Sequence, residues 1–130
     1  MRAELIYLGL SALLCAVMWL PYVLNRMMVW GLMDTVGYPD NPKPLAPWAE
    51  RLHKAHNNMV ENLVVFAALV LAAAAANKLD NATQWSAITF FWARVAHAIV
   101  YTLKMPWLRT LTFFLGWLAC ICIFWQLVMQ

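Results

Sequence analysis

Residues 50–76 read ERLHKAHNNMVENLVVFAALVLAAAAA, and no turn signal separates the polar first half from the apolar second half. The first thirteen residues hold two acids, two bases, two histidines and three asparagines. Pro47 precedes them, at a position where the first turn of a helix tolerates a missing N–H. The stretch is therefore expected to be one helix over about residues 48–76, polar at one end and apolar all round at the other. Its alanines 72–76 are small enough to let neighbouring helices approach closely.

The rest of the chain is built for the same surroundings. Of its 130 residues 65% are hydrophobic and 12% charged, with a mean hydropathy of +0.66, far from the balance of a soluble domain. A bilayer core of about 30 Å takes roughly 20 apolar residues per helix, so the chain has room for about four spans. The expectation is an all-α integral membrane protein. It forms a single domain over residues 1–130, with helices at about 5–26, 48–76, 85–105 and 108–129 and no soluble domain beside them. Pro21 should kink the first span or mark where it reaches the interface. Gly31, Gly37, Pro39, Pro42, Pro44 and Pro47 keep residues 27–47 from forming a long helix. Residues 77–84 read as a polar turn, and Pro106 as the end of the third span. The first apolar run is long, lacks an A-x-A cleavage site and ends in PYVLNRM, so it reads as a retained helix.

Trp30, Trp48, Trp85 and Trp107 fall at the edges of apolar runs, where amphipathic rings favour the headgroup layer. Cys15, Cys120 and Cys122 lie inside apolar runs without a CxxC or a Cys/His metal spacing, which argues for free buried thiols. The net charge of +3 is spread between membrane segments and does not form a soluble basic face, so nucleic acid is set aside. Arg26, Lys43, Arg51, Lys54, Lys104 and Arg109 fall on one side of the membrane and Arg2 and Lys78 on the other. The positive-inside rule then places the first and third connections in the cytoplasm and both termini on the opposite side.

Ionisable residues inside a bilayer cost about 2.5–3.5 kcal/mol each on insertion scales, so each must face a partner or a wet cavity. On a helix, residues three or four apart share a face. Lys54, Asn58 and Glu61 form one stripe, which Asn57 can join, and Arg94, His97, Tyr101 and Lys104 form another. A structural reading pairs Glu61 with Arg94. That pair leaves Arg26, Lys54, His97, Tyr101 and Arg109 as donors near one face, which points to an anionic polar ligand. His53 and His56 have no companion at a zinc spacing, and no metal is expected.

ERLHKAHNNMVEN resembles the second-helix signature of the membrane-associated proteins in eicosanoid and glutathione metabolism, the MAPEG family. The pattern E-R-x-x-R-A-x-x-N-x-x-E is matched by Glu50, Arg51, Ala55, Asn58 and Glu61, with Lys54 where the family has arginine. RVAHAIVYTLKMPWLRT, residues 94–110, resembles the third-helix and loop segment of its bacterial-type, microsomal glutathione transferase or prostaglandin synthase-like branch. The resemblance implies a four-helix protomer in a homotrimer, with glutathione bound between subunits near the cytoplasmic face. It assigns Arg26, Lys54, Asn58, Glu61, His97 and Tyr101 to glutathione and Arg109 to its thiolate, with Arg51, Arg94 and Thr110 in supporting places. Asn57 and Phe113 depart from an arginine and a tyrosine found in some relatives.

Glutathione carries two carboxylates and one ammonium, a mixture that calls for several cations and one acid. The implied activity is that of a membrane glutathione transferase or peroxidase that turns the thiolate on a lipophilic electrophile, a detoxification chemistry. The alternatives are a non-catalytic lipid-binding or scaffold protein of the same fold, and a small proton-coupled transporter using Glu61, Arg94 and His97.

Overall fold

A computed structural model describes residues 2–129, and every element of secondary structure among them is helical. The helices are α1 (Ala3–Val17), α2 (Trp19–Trp30), α3 (Leu32–Val36), α4 (Pro47–Ala75), α5 (Asn81–Thr102) and α6 (Pro106–Met129). Three stretches are long and apolar enough to cross a membrane: Ala3–Trp30, which joins α1 and α2, then Pro47–Ala75 and Pro106–Met129. α5 is 22 residues long. Its Asn81, Gln84, Arg94 and His97 make it less apolar than the other three.

That polarity is compensated by position. α5 packs against α1, α4 and α6, so its polar face is enclosed by protein. Phe66 of α4 stacks on Phe90 of α5 with ring centroids 3.9 Å apart, and Met59, Val70, Ala87, Cys120 and Ile123 close the core around them. Gly116 of α6 lies over the aliphatic stem of Arg94, where an added Cβ would stand 3.6 Å from Arg94 Cδ. Outward-facing side chains are apolar along much of the bundle, with Leu13, Val64, Trp92 and Trp125 all more than half exposed. Such a surface suits lipid.

Several boundaries differ from the sequence expectation. The first helix is interrupted at Met18, three residues ahead of Pro21, because Pro21 has no N–H to give to the carbonyl of Val17 one turn back. Beyond Arg26 the helix does not stop; it runs on to Trp30 and ends where Gly31 adopts φ 83°, a conformation open to glycine. α5 begins at Asn81, inside the stretch read as a turn. Asp80 caps it by accepting from the Thr83 N–H at 3.0 Å while Thr83 Oγ1 accepts from the Asp80 N–H at 2.7 Å.

α5 also ends earlier than expected, at Thr102. Lys104 takes φ 61° and Met105 N–H bonds the Val100 carbonyl at 3.0 Å, a left-handed cap that turns the chain so that Pro106 starts α6. α4 closes in the same way, with Asn77 at φ 57° and Lys78 N–H on the Ala73 carbonyl.

Candidate functional site

The end of α5 turns its polar stripe inward. Arg94 and His97 are each 2% exposed. Arg94 Nη2 donates to Asn58 Oδ1 on α4 at 2.6 Å, so the ion pair expected between Glu61 and Arg94 does not form. Glu61 lies three residues beyond Asn58, on the outer face of α4, and its side chain is exposed. Asn62, whose part the sequence reading missed, supports this arrangement. Its Nδ2 donates to the Asn58 carbonyl at 2.8 Å, a contact already implicit in the four-residue spacing.

One and two turns further along α5, His97 meets Tyr101 edge to face, with centroids 5.5 Å apart. His97 also faces Phe113 of α6 at 6.3 Å. The Arg109 guanidinium carbon sits 5.2 Å from the centre of the Tyr101 ring, within range for attraction between a cation and an aromatic face.

These contacts line an open cavity of about 260 Å³ whose walls are Asn58, His97, Tyr101, Arg109, Thr110 and Phe113. A second cavity of about 250 Å³ adjoins it and shares Tyr101 and Arg109. The first holds one cation, an amide, an imidazole and two hydroxyls. No acid is among its lining residues, so the donors face no carboxylate of the chain's own. Thr110 Oγ1 donates to the Pro106 carbonyl at 3.1 Å, as its place in the first turn of α6 allows.

Of the residues named from the sequence, Asn58, His97, Tyr101 and Arg109 thus come together, with Thr110 beside them and Arg94 behind Asn58. Arg51 stands at the back of the neighbouring cavity, its Nε donating to the Thr102 carbonyl at 2.9 Å. Arg26, Lys54 and Glu61 line neither cavity. Arg26 lies over the Trp30 ring at 5.1 Å, and Lys54 is exposed on the same outer face of α4 as Glu61. His53 and His56 face α2: Tyr22 stacks on His53 and its hydroxyl bonds His56 Nδ1 at 2.7 Å.

The chain's match to the MAPEG family extends over residues 9–129. It belongs to the MAPEG family. No curated protein and no solved structure matches it. The family match takes in both cavities, α4 with its ERLHKAHNNMVEN segment, and the turn from α5 to α6.

Proposed function

We propose that this MAPEG protein is a membrane-bound glutathione-dependent transferase or peroxidase acting on a lipophilic electrophile. The observation that carries the reading is the cavity where Asn58, His97, Tyr101, Arg109 and Thr110 converge without an acid, at the polar end of otherwise apolar helices. At about 260 Å³ it approaches the roughly 300–1,000 Å³ range of small-molecule sites. Its donors suit the carboxylates of the tripeptide. The fold proposed around it is a four-span protomer in which α5 is the least apolar span, with the α2–α4 and α5–α6 connections in the cytoplasm.

Glutathione supplies the nucleophilic thiol. Arg109, set over the face of Tyr101, holds the thiolate: a nearby guanidinium lowers a thiol pKa from about 8.5, at about 1.4 kcal/mol per unit. Tyr101 offers a hydroxyl donor, Thr110, whose own O–H is given to the Pro106 carbonyl, offers an acceptor, and the Asn58 amide is oriented by Arg94 and Asn62. Arg26, Lys54 and Glu61 complete the site from a neighbouring copy. An exposed carboxylate on the outer face of a membrane helix is costly unless another subunit meets it, and this supports the proposed homotrimer. Glu61 would then receive the ammonium of the tripeptide and Lys54 one of its carboxylates.

Calorimetric titration of the purified protein with glutathione, followed by turnover of an activated aryl halide or a lipid hydroperoxide, tests the reading. Binding with turnover is the expected result, and Arg109→Ala should bind glutathione yet lose turnover. Neither heat nor turnover in the wild-type protein would overturn the enzyme reading and favour a scaffold of the same fold.

A further inference from the structure

The connection between α2 and α4 leaves a row of apolar side chains bare. Met28 is 84% exposed, Met33 80% and Val36 71%, and α3 packs against α2 and no other helix among the described residues. Apolar side chains gathered on a surface in this way mark a place that meets something.

Their spacing indicates what. Val17, Leu20 and Leu24, three or four residues apart, are exposed along one side of the first span, a side that suits lipid. Met28, Leu32 and Val36 carry the row on at intervals of four, past the break at Gly31 and into α3. The apolar side of α3 is thus a continuation of the lipid-facing side of the span.

Length puts that side at the right depth. Ala3–Trp30 is 28 residues, about 42 Å of helix, and a bilayer with both headgroup layers is about 40–45 Å thick. α2 therefore ends at the headgroup layer and not out in bulk water. Gly31, at φ 83°, lets the chain leave the axis of α2 at that level.

The inner side of the connection is polar and closed upon itself. Trp30 Nε1 donates to the Lys43 carbonyl at 2.6 Å, and Asp34, Asn41 and Lys43 line a small hollow between α3 and the returning chain. Asp34 is turned to its own loop, while Leu32 and Val36 fall on the opposite side of the helix. That division of polar from apolar is the one a segment lying in a membrane surface requires.

We propose that residues 28–38 form a foot that lies in the lipid headgroup layer, with Met28, Met33 and Val36 at the acyl boundary and the exposed ring of Tyr38 at headgroup level. The foot anchors the α2–α4 connection to the bilayer surface, whatever thiol the protein binds.

Methyl NMR of the full-length protein in lipid nanodiscs, carbon-labelled at the methionine methyls, tests it, the Met28 and Met33 signals being assigned through Met28→Leu and Met33→Leu. A phospholipid with a nitroxide near the top of its acyl chain should broaden both signals about threefold more than a water-soluble gadolinium chelate does, because the foot lies at that depth. Met59, which is 1% exposed, should respond to neither probe. Val36→Glu sets a charge on the apolar side, so it should roughly halve the lipid broadening of Met33 and raise that from the chelate, with Met59 still silent because the core is intact. Broadening of Met33 by the chelate and not by the lipid would overturn the proposal in favour of a solvated loop. Broadening by neither would overturn it in favour of a contact with a second copy of the chain.

Discussion

At the start of α5, Glu4 is buried and its Oε2 accepts from Thr83 Oγ1 at 2.7 Å and from Arg2 at 3.0 Å, while Thr83 is also half of the box that caps the helix. At the other end of α5, five turns away, Asn58, His97, Tyr101, Arg109 and Thr110 surround a cavity with no acid among its walls. Both clusters are polar side chains held among apolar helices. In the first, charge and hydroxyl answer Oε2 of Glu4 and tie α1 to α5, while its Oε1 has no hydrogen-bond partner among the described residues. In the second, the donors outnumber what the chain offers them. A polar group enclosed in a membrane bundle either finds its partner in the fold or waits for one from outside, and the two ends of α5 illustrate the two cases.

The difference can be broken by substitution. The largest effect is expected from Asn58→Leu, which leaves the guanidinium of Arg94 buried with no acceptor for Nη2. Removing the neutral hydrogen-bond partner of a buried charged group costs up to about 3 kcal/mol, and denaturant unfolding should record a loss of that order together with loss of glutathione binding. Thr83→Val comes next. Stripping the hydroxyl from Glu4 and from the cap should cost about 1–3 kcal/mol in the same assay, with glutathione affinity unchanged, because the closed end is structural. A drop in affinity equal to that of Asn58→Leu would erase the distinction between the ends.

Two smaller changes sharpen it. Tyr101→Phe should leave unfolding unchanged, since the ring contacts with His97 and Arg109 persist, and weaken glutathione by up to about tenfold for one hydrogen bond. Phe113→Tyr places a hydroxyl in the cavity wall and should tighten glutathione by about threefold, again on the scale of one net hydrogen bond. Calorimetry reads both.

Much of the helical layout could be read from hydropathy, because a lipid-facing helix must be apolar over its whole length. The sequence was least informative where polar residues begin or end a helix. The Asp80 to Thr83 box reads as part of a polar turn, yet it caps a helix that starts at Asn81, and Asn25 with Arg26 reads as the end of a helix that reaches Trp30. The site divided in the same way. The spacing of Arg94, His97 and Tyr101 placed them on one face of α5, since that follows from the geometry of a single helix. The partner of Arg94 depends on the register between two helices, which no spacing within either one encodes, and it proved to be Asn58 and not Glu61. Glu4 passed unnoticed because a single acid near the start of the chain shows no periodicity until Thr83, 79 residues on, is seen against it.

The proposed role of Arg109, acting upon a thiol held in the cavity at the open end of α5, is tested most directly by the titration of that thiol. Ultraviolet absorbance of glutathione bound to the protein, followed against pH, should show the thiolate persisting well below the ordinary thiol pKa of about 8.5 and vanishing only as pH falls through the lowered value. In Arg109→Ala the bound thiol should titrate near its ordinary value. A wild-type complex whose thiol titrates as it does in water, or an Arg109→Ala complex that keeps the shift, would contradict it.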